Sequence, residues 1–347
     1  MLESTTHTHH LTKIQKLDPL LINQIAAGEV VTRPSSVVKE LLENSIDAGA
    51  TNIEINLRQG GIHTISIADN GHGIAKESLP LAFTQHATSK ISSLDDLHNI
   101  VSLGFRGEAL ASTAAVSRLQ IASATANAAQ AWQLESVNGA ITNPIPSARD
   151  TGTTVTMRDL FFNIPARRKF LRTERTEFYY CENIIKQAAL GNFNISFTLT
   201  HNNKLIYKLP QATDQQQIQQ RIAKLCSSDF MANCLTLDAI HGEYQLTGYS
   251  CLPTFSSSKA DVQFMFVNGR MVKDKLINQA VRSAYKDVLY RNRYPAFVLY
   301  LQMPHGEIDV NVHPTKTEVR FANGNFIYNY IFVKLKYFST KGFWGFG

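Results

Sequence analysis

Apolar residues near the start of the chain recur at helical spacing. Ile14, Leu17, Leu20, Leu21 and Ile25 mark one face of a helix over 14–27, and Gly28 offers its stop. A second helix follows closely. Pro34 with Ser35 or Ser36 supplies a start signal, Val37, Val38, Leu41, Leu42 and Ile46 form an apolar stripe, and Gly49 stands where a terminating glycine belongs. The period then changes to two. Ile53, Ile55 and Leu57, a Gly60-Gly61 turn, and Ile65 and Ile67 predict a β-hairpin. Asp69 falls on the same side as Ile65 and Ile67, so a carboxylate stands where the alternation expects a core residue. That local conflict marks a site.

Residues 71–107 are rich in Gly, Ser and Thr and predict helices interrupted by long loops, which often carry function. Strands are expected near 117–124, 130–136, 151–158 and 194–200, with a helix over about 174–190. A first domain, 14–210, then ends near Pro210, after a disordered tail over 1–13. The Gln-rich run Gln211 to Gln220 changes the composition and is either a connector or the exposed start of a helix. A second domain, 211–332, carries strands near 244–251, 261–267 and 296–303, an amphipathic helix from Lys275 to Leu289, and a last alternating strand through Ile308, Val310 and Val312. Residues 333–347 stay unassigned; Phe338, Phe343, Trp344 and Phe346 among glycines show no period.

Length supports the two-domain division, since 347 residues exceed what one core usually organises. Thirty-four Lys and Arg against 28 Asp and Glu leave a net charge of +6, which permits nucleic-acid binding without requiring it. Cys181, Cys226, Cys234 and Cys251 lie far apart without zinc-type spacing, as suits a reduced, intracellular, cytoplasmic protein. No apolar run approaches the roughly 18 residues of a membrane span, and the polar start with His7, His9 and His10 lacks a secretory h-region.

Four separated segments carry chemistry. Glu40 and Asn44 are four apart on the second helix and share a face, so Asn44 could ligate Mg²⁺ while Glu40 orients and deprotonates a water; an acidic solvated face is the plain alternative. Asp69-Asn70-Gly71-His72-Gly73-Ile74 offers a buried acceptor for an adenine amino group, with Gly71 and Gly73 permitting close backbone approach; otherwise it is an Asn-Gly turn. Gly104-Phe105-Arg106-Gly107-Glu108-Ala109-Leu110 leads into a helical run whose first N–H groups suit phosphate oxygens, or is simply a capped loop. Asn311-Val312-His313-Pro314-Thr315-Lys316 places a lysine after a stiff turn, where it could reach a γ-phosphate or remain a surface charge. A P-loop is excluded, because no Gly-x-x-x-x-Gly-Lys-Ser/Thr run is present.

In their joint order these segments, with Gln85-His86-Ala87-Thr88-Ser89-Lys90 between the second and third, resemble the nucleotide motifs of the gyrase, Hsp90, histidine-kinase and MutL ATPases. Ile25-Ala26-Ala27-Gly28-Glu29-Val30-Val31, Arg33-Pro34, Pro165-Ala166-Arg167-Arg168-Lys169-Phe170-Leu171 and Val267-Asn268-Gly269-Arg270 narrow the resemblance to the MutL family of DNA mismatch-repair proteins. It extends from about Ile14 to Ala322. It implies an α+β architecture: a two-layer α/β sandwich ATPase domain of the Bergerat type, followed by a smaller α/β domain like domain 2 of ribosomal protein S5. It also implies ATP and Mg²⁺ as cofactors, with Glu40 as general base, Asn44 as the metal ligand and Asp69 as the reader of adenine. Residues 86–90 match the lid, with Lys90 approaching the phosphates; Gly104 to Leu110 match the phosphate loop, Thr153 lies near the base, and Lys316 is the γ-phosphate contact.

The same resemblance implies a slow, Mg-dependent ATPase that pairs two N-terminal regions on ATP binding and acts as a matchmaker between the mismatch-recognition protein MutS and a downstream repair endonuclease or helicase. Full-length relatives continue to a C-terminal dimerisation domain, so no nuclease site is expected in this chain. Lys273, Lys275, Arg282, Lys286, Arg291 and Arg293 cluster in the second domain, and Arg282 and Lys286 share a helical face suited to sequence-tolerant phosphate contacts or to plain solvation. The resemblance to a DNA-acting family favours DNA, with Arg270, Lys275 and Arg282 as the leading contacts. Arg167-Arg168-Lys169 and Arg172 form a second basic run suited to DNA or to domain packing. Two other classes compete: a topoisomerase ATPase subunit or histidine kinase, and a non-catalytic scaffold in which nucleotide is structural.

Overall fold

A computed structural model describes residues 31–90, 103, 104, 107–137, 139–258, 260–290, 292–309 and 318–344, with 22, 25, 27, 28 and 30 besides. The predicted helix over 14–27 therefore falls almost wholly outside the described residues. So do Phe105, Arg106, the 310–312 part of the last strand, and Lys316.

Helix α1 (Pro34–Asp47) begins on a proline and ends where Gly49 turns to φ 71°, so both of its sequence signals operate. It buries Val37, Val38, Leu41, Leu42 and Ser45. Strands β1 (Asn52–Arg58) and β2 (Thr64–Asp69) pair antiparallel, and Ile53 stands opposite Asp69. Ile65, Ile67 and Asp69 are buried together on one side, as the alternation predicts. On the other face Glu54, Asn56 and Arg58 remain exposed.

Helix α2 (Ala109–Val116) leads to β3 (Arg118–Ala124), β4 (Ala131–Val137), the short β5 (Ala140–Ile141) and β6 (Ile145–Ser147), and β7 (Gly152–Arg158). A short turn of helix α3 (Pro165–Arg168) precedes α4 (Glu174–Gly191), β8 (Ser196–His201) and β9 (Lys204–Leu209). These strands make one sheet in the order β5-β4-β3-β7-β2-β1-β8-β9, with β6 beside β4. All its pairs are antiparallel except β1 with β8, which the long crossover through α4 makes parallel. Helices α1, α2 and α4 cover the apolar face, giving two layers.

The Gln-rich run becomes helix α5 (Gln215–Leu225), capped by Asp214, and α6 (Ser228–Ala232) follows. Strands β10 (Cys234–His241), β11 (Tyr244–Cys251), β13 (Gln263–Val267), β14 (Arg270–Val272) and β16 (Phe297–Gln302) form a second sheet, ordered β10-β11-β16-β13-β14. Two small ladders, β12 (Ser256–Ser257) with β15 (Tyr294–Pro295) and β17 (Ile308–Asp309) with β18 (Arg320–Phe321), lie beside it. Helix α7 (Lys275–Tyr285) and helix α8 (Gly324–Trp344) pack on one face. Helix α8 runs on into the stretch that showed no period, and ahead of that stretch Phe326 stacks on Tyr330 and Tyr328 on Phe332.

The central strand β16 is buried on both faces. Phe297, Leu299 and Leu301 join the core beneath α7 and α8, whereas Val298 and Tyr300 turn to the first sheet's core with Phe264, Phe266 and Tyr249. The Tyr300 hydroxyl donates to the Leu190 carbonyl at 2.9 Å, and Phe266 stacks on its ring. An apolar junction of this kind fixes the second sheet against the end of α4 rather than leaving it on a flexible tether. Among the described residues no helix is long and apolar enough to cross a membrane.

Candidate nucleotide site

Asp69 closes β2 at a point where the sheet presses against α1. Its carboxylate is 8% exposed and accepts three hydrogen bonds: from the Gly71 amide at 3.0 Å, the Thr153 amide at 3.1 Å and the Ser45 hydroxyl at 2.9 Å. Both amides meet Oδ1, and Ser45 meets Oδ2. An ionised carboxylate has about four acceptor positions, so Oδ2 keeps capacity for one more donor. Below it, Ser123 is fully buried; it donates to the Gly152 carbonyl, meets the Thr153 hydroxyl at 2.9 Å and accepts from the Ile74 amide at 2.8 Å.

Arg149 braces the ends of β2 and β3 by donating to the main-chain oxygens of Asp69 and Ala122 at 2.8 and 3.2 Å. Burial pushes its pKa down, while Asp69 and Asp150 oppose the shift. Nothing in the sequence pattern marked Arg149, Ser45 or Ser123, because each acts through residues distant in the chain. Gly71 and Gly73 are also required by the protein's own packing. A Cβ at Gly71 would lie 2.6 Å from the Ala48 carbonyl, and one at Gly73 would lie 2.0 Å from the Ala124 carbonyl. The fold's own backbone requires both glycines.

Glu40, Asn44 and Asp47 repeat at i, i+4 and i+7 along α1 and line one half-buried face, with Glu43 beside them. Lys39 draws Glu43 at 2.6 Å and lies 3.9 Å from Glu40. The Lys90 ammonium donates to Asn44 Oδ1 at 2.9 Å and to Asp47 Oδ2 at 2.5 Å. Asp47 also accepts the Leu103 and Gly104 amides at 2.9 and 3.0 Å. Thus Asp47, to which the sequence motif assigned no role, ties the 86–90 segment and the glycine loop to α1.

The loop itself packs on the same segment. The His86 amide donates to the Gly107 carbonyl, the His86 ring lies 3.4 Å from Glu108, and Gly107 adopts φ 63° with the Ala87 carbonyl against its Cα. Helix α2 starts at Ala109 with Leu110 next, and no side chain caps its first turn. Glu40, Asn44, Asp69, Lys90, Gly104 and Thr153 therefore line one region between α1, the end of β2, the start of β7 and the glycine loop.

The second domain reaches this region through Arg270. Burial pushes its pKa down, and the Glu43 and Asp47 carboxylates of α1 push the other way. That separates Arg270 from Lys275 and Arg282, which are exposed on the outer side of α7. Asp274 caps that helix through the Leu276 and Ile277 amides, and Arg282 lies 5.7 Å from the Tyr294 ring.

A buried, multiply held Asp after a β-hairpin, an Asn-bearing helix and a glycine loop opening a helix define a nucleotide-binding domain of the gyrase and histidine-kinase class. The family described as "Histidine kinase-, DNA gyrase B-, and HSP90-like ATPase" matches residues 32–152, and "DNA mismatch repair protein, C-terminal domain" matches residues 222–339. The chain is 51% identical over 322 residues to "DNA mismatch repair protein MutL" of Pseudomonas entomophila, covering 92% of this chain and 51% of that protein. It is 52% identical over 320 residues to the protein of that description from Histophilus somni, covering 92% and 52%.

Among solved structures, "Crystal Structure of N terminal domain of a DNA repair protein" aligns with a TM-score of 0.78 at 27% identity, covering 92% of this chain and 98% of that one. "Aquifex aeolicus MutL ATPase domain complexed with ADP" aligns at 0.59 with 28% identity, covering 79% and 93%. The chain belongs to the MutL family of DNA mismatch repair proteins and corresponds to its N-terminal ATPase region. It spans about half the length of the curated relatives it matches.

Proposed function

We propose that this chain binds ATP with Mg²⁺, hydrolyses it slowly, and uses the bound state to pair two copies of itself in a mismatch-repair relay. The observation that carries the reading is the Asp69 carboxylate, buried and fixed by three donors with one acceptor position left on Oδ2. An adenine amino group supplies the missing donor, and Thr153 holds the same wall of the pocket. The relative crystallised with ADP supports a nucleotide as the ligand class.

The donor set fits a hard divalent cation. Asn44 Oδ1 already attracts an ammonium, and Mg²⁺ needs few protein oxygens because it keeps waters and takes phosphate oxygens. Bound metal would neutralise phosphate charge. Glu40, one turn before Asn44 and a third exposed, then holds and deprotonates a water. Lys90 transfers from Asn44 and Asp47 to the phosphates as the lid closes, the loop from Gly104 to Leu110 supplies N–H donors, and the γ-phosphate contact is assigned to Lys316 on the family motif alone. Arg270 links the domains beside Glu43 and Asp47. Sequence-tolerant DNA contacts fall to Lys275 and Arg282, and ATP-gated engagement of MutS and a downstream endonuclease or helicase follows as the wider role.

Two substitutions test the core of this reading. Asp69→Asn abolishes ATP binding in calorimetry. Glu40→Ala retains ATP binding and loses phosphate release; turnover equal to the parent's overturns Glu40 as the base.

A further inference from the structure

Cys234 opens β10 and Cys251 ends β11, and the register sets them directly opposite each other. Their sulfurs lie 2.7 Å apart, both as free thiols. Directly opposed residues of an antiparallel pair have Cα atoms about 4.5–5.5 Å apart, inside the span a disulfide bridges without backbone movement. The side chains already point at one another, so no rotamer change has to precede a bond.

Access is unequal. Cys251 is 2% exposed and its sulfur also faces the Phe230 carbonyl at 3.5 Å. Cys234 is half-buried and lines a shallow groove with Gln216, Gln219, Gln220, Met231 and Tyr249. A small oxidant reaches Cys234 through that groove and does not reach Cys251 directly. Cys226, on the last turn beside α5, is a third nearby thiol, whereas Cys181 lies apart against the Gly60 carbonyl.

We infer that Cys234 and Cys251 form a reversible oxidation site, in which a peroxide converts the thiol pair to a disulfide joining β10 to β11. In the first step the Cys234 thiolate attacks a peroxide oxygen, the O–O bond breaks, and the sulfenic acid forms with loss of hydroxide. In the second, the Cys251 sulfur displaces the sulfenic oxygen as water and the S–S bond forms. The two thiols lose two electrons and two protons, and hydrogen peroxide becomes two waters. The hydrogen bond between the sulfurs and their burial hold the Cys234 thiol well above the usual thiol range, so the first step quickens as pH rises. The product ties down β10, the edge strand of the second sheet, at its open end.

The test treats the folded chain with hydrogen peroxide at mildly alkaline pH, alkylates it under denaturing conditions, and maps peptides by mass spectrometry. Two of the four cysteines are expected to resist alkylation, with a Cys234–Cys251 linked peptide that dithiothreitol abolishes. Cys234→Ser is expected to give no linked peptide. Four alkylated cysteines in the parent, or linkage of either residue to Cys226 or between two chains instead, overturns the assignment.

Discussion

The Lys90 ammonium is shared between Asn44 Oδ1 at 2.9 Å and Asp47 Oδ2 at 2.5 Å, with Asp47 also anchoring the Leu103 and Gly104 amides. One carboxylate thus ties both the 86–90 segment and the glycine loop to α1. Replacing it leaves the two amides without their acceptor and the ammonium with Asn44 Oδ1 alone, and bonds to a charged acceptor are each worth about 1.5–3 kcal/mol. Asp47→Ala is expected to weaken ATP binding roughly 10-fold or more, the equivalent of about 1.4 kcal/mol. Calorimetric titration checks this, and an unchanged Kd would show that the tether is incidental.

Ser45 offers a graded counterpart to Asp69. Among the described residues its hydroxyl is the one donor to Oδ2, the oxygen with capacity to spare. Ser45→Ala is expected to cost about 1.5–3 kcal/mol of stability in urea unfolding, since a buried carboxylate loses a charge-assisted bond. ATP binding is expected to weaken less than in Asp69→Asn, because the two amides on Oδ1 still hold the group. Equal losses in the two variants contradict that division of labour.

Much of this site was legible because its signals are local. The conflict between Asp69 and its strand's alternation, and the i, i+4 spacing of Glu40 and Asn44, need only a few residues, and the β1–β2 register preserves them. What escaped the sequence pattern is long-range. Asp47 gains meaning only when residue 90 and residue 104 meet it, and Arg149 only when a loop eighty residues on returns to the Asp69 carbonyl. Strand β14, with three residues, is too short to show an alternation, β10 buries only Leu237 and Ala239 of its eight residues, and helix α8 carries aromatic pairs on more than one side. Arg270 was a candidate DNA contact on the family resemblance, and its electrostatic partners Glu43 and Asp47, more than two hundred residues earlier, could not be read from its neighbourhood in sequence.

Burial lowers the His201 pKa, and Glu174 at 3.4 Å opposes the shift without reversing it. The ring's Nε2 accepts the Gly60 amide at 3.1 Å and stacks on Phe178, both suited to the neutral form. A base whose folded pKa is depressed contributes stability that is complete above its unfolded value, near 6.5, and is lost as pH falls through the lower folded value. The parent's thermal midpoint is therefore expected to drop on acidification below that range. In His201→Gln the same acid limb should flatten. Parallel limbs in the two proteins would assign the acid sensitivity elsewhere.

Lys275 and Arg282 project from the exposed side of a helix that Asp274 caps, on a surface with Lys273 and Lys286. Phosphate contacts of this kind give a salt slope that decreases by about one for each contact removed. Lys275→Glu is expected to weaken binding to any DNA sequence several-fold and to flatten the salt dependence, leaving ATP affinity as in the parent. Equal affinities across the salt series would remove this face from the DNA interface.

Arg221, 4% exposed on α5, donates to the carbonyls of Ala189, Asn192, Ile195 and Pro210. These are the frayed end of α4, the entry to β8 and the exit from β9, so one guanidinium satisfies backbone from three elements at the junction of the sheets. Burial lowers its pKa to about 10, and its Nε has no partner among the described residues, so the charge is held at a cost that the four carbonyls offset. Arg221→Met keeps the stem and removes every donor, leaving buried carbonyls unpaired. A loss of about 3 kcal/mol in urea unfolding is expected. Because Tyr300 fastens the second sheet to Leu190 at the same end of α4, ATP turnover should fall as well, with limited proteolysis accelerating near residue 210. Unfolding at the parent's midpoint would mean that water replaces the guanidinium without penalty, and the junction would then rest on its apolar contacts alone.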